Sequence, residues 1–166
     1  MKNLRELMQE FSRKKDLTGC FDDNNGIADF SAFLDMNRYF IVDPEDLLYA
    51  ADNIKVMKRP KSTEGSALAS EIMTRYVASI TPEEHYGRAY SAIKDLNTGN
   101  DQDEEKALSD LRIIGEDAVS RMVEGIMVVS HIIDYTKDNF VMHYFNNTIT
   151  PTLGNLQWAN KEIKKE

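Results

Sequence analysis

The chain has 166 residues, 42% of them apolar and 29% charged, with a net charge of −8. That length fits one domain of ordinary size, and its apolar residues are concentrated in periodic segments. Its longest purely apolar run, 47–51, is five residues against the roughly 20 needed to cross a bilayer, and the acidity disfavours nucleic acid or an anionic membrane as partner.

The opening residues, Met1, Lys2, Asn3, Leu4, Arg5 and Glu6, are charged and lack the apolar core of a signal peptide. Leu4, Leu7, Met8 and Phe11 follow at helical spacing. Cys20 is the single cysteine, which allows no intramolecular disulfide and no thiolate zinc cage. The expected compartment is therefore a reducing cytoplasm. Charge is unevenly spread: residues 1–15 carry +3, 16–53 carry −8 and 54–61 carry +4.

Residues 16–30 are rich in Asp, Asn and Gly and predict a long polar loop. Within it the run 21–32 resembles an EF-hand calcium loop in spacing, with Asp23, Asn25 and Asp29 at the third, fifth and ninth positions and Gly26 at the sixth. The first position holds Phe21 and the twelfth Ala32. Without those two carboxylates most of the anionic coordination is gone, so a solvated turn is the expected reading.

Residues 37–42 predict a short extended segment leading to Asp43-Pro44, where a capping residue before proline marks a helix start. Leu47, Leu48 and Ile54 form its stripe. Residues 58–63 predict a proline-broken basic connector. Lys55, Lys58, Arg59 and Lys61 make it the one patch suited to phosphate, next to an acidic stretch able to neutralise it.

Leu68, Ile72, Met73, Tyr76, Val77 and Ile80 predict the next helix. Thr81-Pro82 predicts another start, with Glu84 placed to complete a capping box, and Tyr86, Ala89, Tyr90, Ile93 and Leu96 continue it. A turn at 97–100 precedes Asp101, Gln102, Asp103 and Glu104, whose carboxylates suit a helix N-terminus. Leu108, Leu111 and Ile114 then run up to a break at Gly115.

Residues 116–136 carry the strongest apolar face. At 100° per residue the polar side chains, Glu124, His131 and Asp134 among them, occupy an arc of about 140°. This predicts the central helix of the fold. Thr150-Pro151 reads as the last helix start, leading to Leu153, Leu156, Trp158 and Ile163.

The expected fold is all-α, an irregular bundle of six to eight helices in a single domain around 116–136. No catalytic residue emerges, because the nucleophile-elbow, phosphate-loop and zinc-protease spacings are absent. Glu124, His131 and Asp134 share one side of a helix and form the only other weak metal set, and no cofactor is implied. Three adjacent carboxylate pairs, Glu83-Glu84, Glu104-Glu105 and Glu116-Asp117, point about 100° apart within each pair and hold magnesium poorly.

The expected function is thus a small acidic protein-binding regulatory or inhibitory module without catalytic activity. Many immunity-type and phage- or plasmid-encoded host-interaction proteins have this character. A basic partner would meet Asp22, Asp23, Asp29 and Asp35; Lys55, Lys58, Arg59, Lys61 and Trp158 are the other contact candidates. The C-terminal aromatic segment offers a route to a homo-oligomer. The alternatives are a magnesium-dependent helical nucleotide hydrolase using helix carboxylates, and a nucleic-acid mimic or binder.

Overall fold

A computed structural model describes residues 1–15, 19–37, 39–59, 62–135 and 141–165; the side chains of 15, 133–135 and 141–143 lie outside that description. Eight α-helices account for most of the described residues: α1 (Leu4–Lys15), α2 (Asn24–Asp35), α3 (Pro44–Asn53), α4 (Thr63–Ser79), α5 (Tyr86–Leu96), α6 (Asp101–Ile114), α7 (Glu116–Tyr135) and α8 (Val141–Lys164). Short 3-10 turns at Lys55–Lys58 and Glu83–His85 link α3 to α4 and α4 to α5. Among the described residues there is no strand, only a parallel bridge from Asn3 to Ile41 that pins the 39–42 segment beside α1. No described helix is long and apolar enough to cross a membrane.

The Asp43-Pro44 signal opens α3 as expected, whereas the helix starts after it work through other residues than their dipeptides suggest. At Asp43 the backbone N–H donates to the Asp46 carboxylate at 2.9 Å, which opens α3. Ser62 caps α4, accepting from the Gly65 amide at 2.9 Å. Its own amide donates to the Tyr144 hydroxyl at 3.0 Å and its hydroxyl to Asn24 at 3.0 Å, which ties α4 to α8 and α2. The basic connector 58–63 therefore ends as a helix cap. Thr81 closes α4 by donating to the Ala78 carbonyl at 2.7 Å, and α5 begins through the 3-10 turn behind it. Asn100 caps α6 on the amides of Gln102 and Asp103. Gly115, at φ 107°, breaks α6 from α7 in a backbone region open to glycine.

Three expectations change. The polar stretch 16–30 is not a loop throughout, because α2 starts at Asn24 once the Asp23 carboxylate accepts from the Gly26 amide at 2.7 Å. Pro151 does not start a helix but sits inside α8. It is exposed, as is Asn147 one turn earlier, so the carbonyl that loses its helical partner there can face water. The stretch 116–136 is not the centre of the fold. Ala118, Val119, Met122, Ile126 and Val129 bury one side of α7, while Met127 and Val128 stand 46% and 52% exposed. Those two fall within the arc occupied by Glu124 and His131, so this side of α7 is not covered by the other described helices.

The enclosed helix is α4. Ten of its residues are buried, from Gly65 to Ala78, and it packs against α2, α5, α7 and α8. Its buried side includes Thr74 and Arg75, polar types that a sequence pattern assigns to solvent. The Thr74 hydroxyl donates to the Ser70 carbonyl at 2.8 Å, which makes its burial tolerable. Within the same core, Phe11, Phe21, Phe30 and Phe33 join α1, the 19–22 turn and α2 with ring centroids 5.1–6.3 Å apart.

Candidate functional site

An open cleft of about 950 Å³ lies between α1, α3 and the 19–22 turn. Met8, Cys20 and Phe21 are buried beneath it, continuous with the phenylalanine cluster. Gln9, Ser12 and Arg13 line it from α1, Tyr49 and Asn53 from α3, and Asp22 and Lys55 flank the turn. The turn is held firmly. The Lys55 amide donates to the Phe21 carbonyl at 3.1 Å and the Asp22 amide to the Gly19 carbonyl at 3.1 Å. A Cβ on Gly26 would lie 1.9 Å from the Cys20 carbonyl oxygen. The glycine at the sixth position of the calcium-like pattern thus serves the packing of α2 on this turn.

A smaller groove of about 410 Å³ runs between the first turns of α6 and the distal half of α8. Asp101, Gln102, Glu104, Glu105 and Leu108 line one wall and Trp158 the other. Leu156, Ala159 and Ile163 bury the apolar side of α8, whereas Trp158 remains 40% exposed. Asn155 fixes α8 here by donating to the Leu96 carbonyl at 3.2 Å and the Asn97 side chain at 2.9 Å. The C-terminal segment is therefore docked within the chain, and of its expected apolar strip Trp158 is the large residue left at the surface.

A third group is buried. Arg75, 6% exposed, pairs through Nε with Glu71 at 2.9 Å and lies 3.9 Å from the centroid of the Tyr90 ring. Tyr90 donates to Glu71 at 2.9 Å and accepts from Lys94 at 3.2 Å. Tyr86 donates to the Phe40 carbonyl at 2.7 Å, and the Ser79 hydroxyl accepts from the Val42 amide at 3.1 Å. Burial raises the pKa of both phenols, since a phenolate would lose its water. These contacts fasten the 39–42 segment between α4 and α5.

Compared with known protein families, curated proteins and solved structures, the chain matches none.

The residues singled out from sequence scatter among these three places. Asp22 and Lys55 meet across the first cleft, Nζ to Oδ1, at 3.7 Å. Trp158 and the pair Glu104-Glu105, which the sequence treats separately, share the groove. Asp23 is occupied as a helix cap; Asn25, Asp29 and Asp35 are exposed on α2. Lys58 and Arg59 are exposed beside the 3-10 turn, and Lys61 lies outside the described residues. Glu124 and His131 face solvent on α7, and the Asp134 side chain lies outside the described residues. Among the described residues no three His, Cys, Asp or Glu side chains group closely enough to hold a metal ion. The three carboxylate pairs sit on a 3-10 turn, on α6 and on α7, each on its own element.

The sequence reading passed over Gln9, Ser12, Arg13, Tyr49 and Asn53. One signal for them existed: the two positive segments, 1–15 and 54–61, flank the most acidic one and are candidates to converge. Arg75 and Glu71 also carried a signal, an i,i+4 acid–base pair inside an apolar stripe.

Proposed function

We propose that the chain is a small acidic protein-binding module, regulatory or inhibitory rather than catalytic, which docks a basic, partly apolar segment of its partner between α6 and α8. The observation that carries this reading is Trp158. It is the only tryptophan of the chain, and it stands two-fifths exposed beside Asp101, Glu104 and Glu105 on a helix whose apolar side is already buried. Exposed tryptophans set in a formed groove are the anchors on which interfaces concentrate their binding energy. Cations are further drawn to an indole face, and nearby carboxylates steer a basic partner and speed its encounter.

The test immobilises the chain, captures partners from a cell lysate, and repeats the capture with Trp158→Ala and with Glu104→Lys/Glu105→Lys. The expected result is a partner retained by the parent, released by salt, and weakened about thirtyfold or more by the tryptophan change. Each variant should melt within a degree or two of the parent, since these side chains are largely at the surface. Identical capture by all three proteins would overturn the reading.

A further inference from the structure

We infer that the cleft between α1 and α3 is a binding site for a small phosphate monoester with an aromatic portion, separate from the α6–α8 groove and independent of any role assigned to it. The folded chain carries −8, yet its two positive segments converge here, Arg13 from the first and Lys55 from the second. Arg13 has no acidic partner among the described residues, and Lys55 is held only loosely by Asp22, at 3.7 Å with both side chains well exposed. A pair so long and so wet is worth little and is readily exchanged for a stronger anion. Asp22 is the one carboxylate among the described lining residues.

The rest of the lining suits the remainder of such a ligand. Ser12, Gln9 and Asn53 add neutral donors; Asn53 spends one on the Tyr49 carbonyl at 2.8 Å and keeps a second N–H. Tyr49 presents a ring that packs on the core and carries the Arg5 guanidinium 4.8 Å from its centroid. Met8 and Phe21 supply an apolar floor. The cleft volume, about 950 Å³, falls in the range of small-molecule sites, which combine an apolar lining with a few placed polar groups. The phosphate would sit between the guanidinium and the ammonium, where charge-assisted hydrogen bonds are strongest, and the ring on Tyr49 and the floor.

Titration of the chain with adenosine monophosphate, inorganic phosphate and adenosine, followed by backbone amide shifts, tests this. The monophosphate should move the amides of Arg13, Cys20, Asn53 and Lys55 at sub-millimolar concentration, with inorganic phosphate weaker and adenosine weaker still. Arg13→Gln and Lys55→Gln should each weaken the monophosphate about tenfold, and Asp22→Asn should strengthen it by relieving repulsion. Both cations are exposed, so unchanged melting temperatures certify the folds. Absence of these shifts at millimolar monophosphate, or equal affinity in the Arg13→Gln protein, overturns the inference. Equal response to adenosine would show that phosphate is not what the cleft recognises and overturns it too. None of these outcomes touches Trp158, so the docking proposal stands or falls separately.

Discussion

Gly26 illustrates how one position can serve a purpose its motif does not announce. In the calcium-loop spacing it is the glycine of a sharp turn, yet here it lies in the first turn of α2 against the Cys20 carbonyl. Gly26→Ala would drive a methyl into backbone held by Phe21 and Lys55, so the turn must shift. The expected cost is about 2–3 kcal/mol in a denaturant titration, against about 1 kcal/mol for Asp23→Ala, which removes only the cap. Calcium should leave the melting temperature of the parent unchanged. Equal costs for the two variants, or a calcium-dependent rise, would contradict this account. The cap acts locally, yet the calcium-like spacing of 21–32 made the stretch look like a loop rather than the start of α2. The Cys20 contact was not legible either, because the glycine and its neighbour meet only after the chain turns back.

Where α7 crosses α4, the contact depends on a missing side chain and a buried phenol. A Cβ on Gly125 would lie 2.3 Å from Ile80 Cδ1, and the Tyr76 hydroxyl donates to the Gly125 carbonyl at 2.9 Å. Burial pushes the Tyr76 pKa from 10.0 up to about 12, because the fold disfavours the phenolate. The sign of the linkage follows. In the unfolded chain Tyr76 ionises near pH 10, in the folded chain only later, so its contribution is complete below pH 10 and lost as pH climbs towards 12. Tyr86 and Tyr90 shift in the same direction and steepen the loss. Tyr76→Phe should cost about 1 kcal/mol at neutral pH and decline less steeply between pH 10 and 12 in urea titrations. A decline identical to the parent's would refute the assignment. The helices themselves were readable from periodicity, but Gly125 looked like any helical glycine until Ile80 and Tyr76 were beside it.

Taken together, the helices form a bundle whose cohesion runs through α4. Four other helices pack on it, and the Arg75 group fastens the 39–42 segment to it. Opening the middle of α4 therefore requires separating most of the core. Amide exchange should show the protons of 69–76 exchanging only through global unfolding, with the free energy of the denaturant transition. The exposed side of α7, bearing Met127 and Val128, should exchange more easily. Faster exchange in α4 than in α7 would reverse the architecture described here. The all-helical class and the number of helices followed from the sequence, since the eight helices among the described residues lie within the six to eight expected. The centre did not. An apolar arc tells how much of a helix avoids water but not how many neighbours supply cover, and α7 covers its arc with fewer than expected.

The sequence by itself determined the features whose causes lie within a few residues. These are the all-α class, the helix start at Asp43, the break at Gly115, the turn at 97–100 and most of the apolar stripes. Capping, backbone freedom at glycine and periodicity act through neighbours along the chain, so a sequence displays them. Tertiary structure alone decided that Arg75 and Thr74 are interior, that Pro151 lies within a helix, that Trp158 meets Glu104 and Glu105, and that Arg13 and Lys55 share a cleft. Even where the hydrogen-bond partner is one turn away, as Ser70 is for Thr74 and Glu71 for Arg75, the cover comes from other helices: a polar side chain can be buried once its hydrogen bonds are met, and opposite ends of a charge pattern become neighbours only when helices pack.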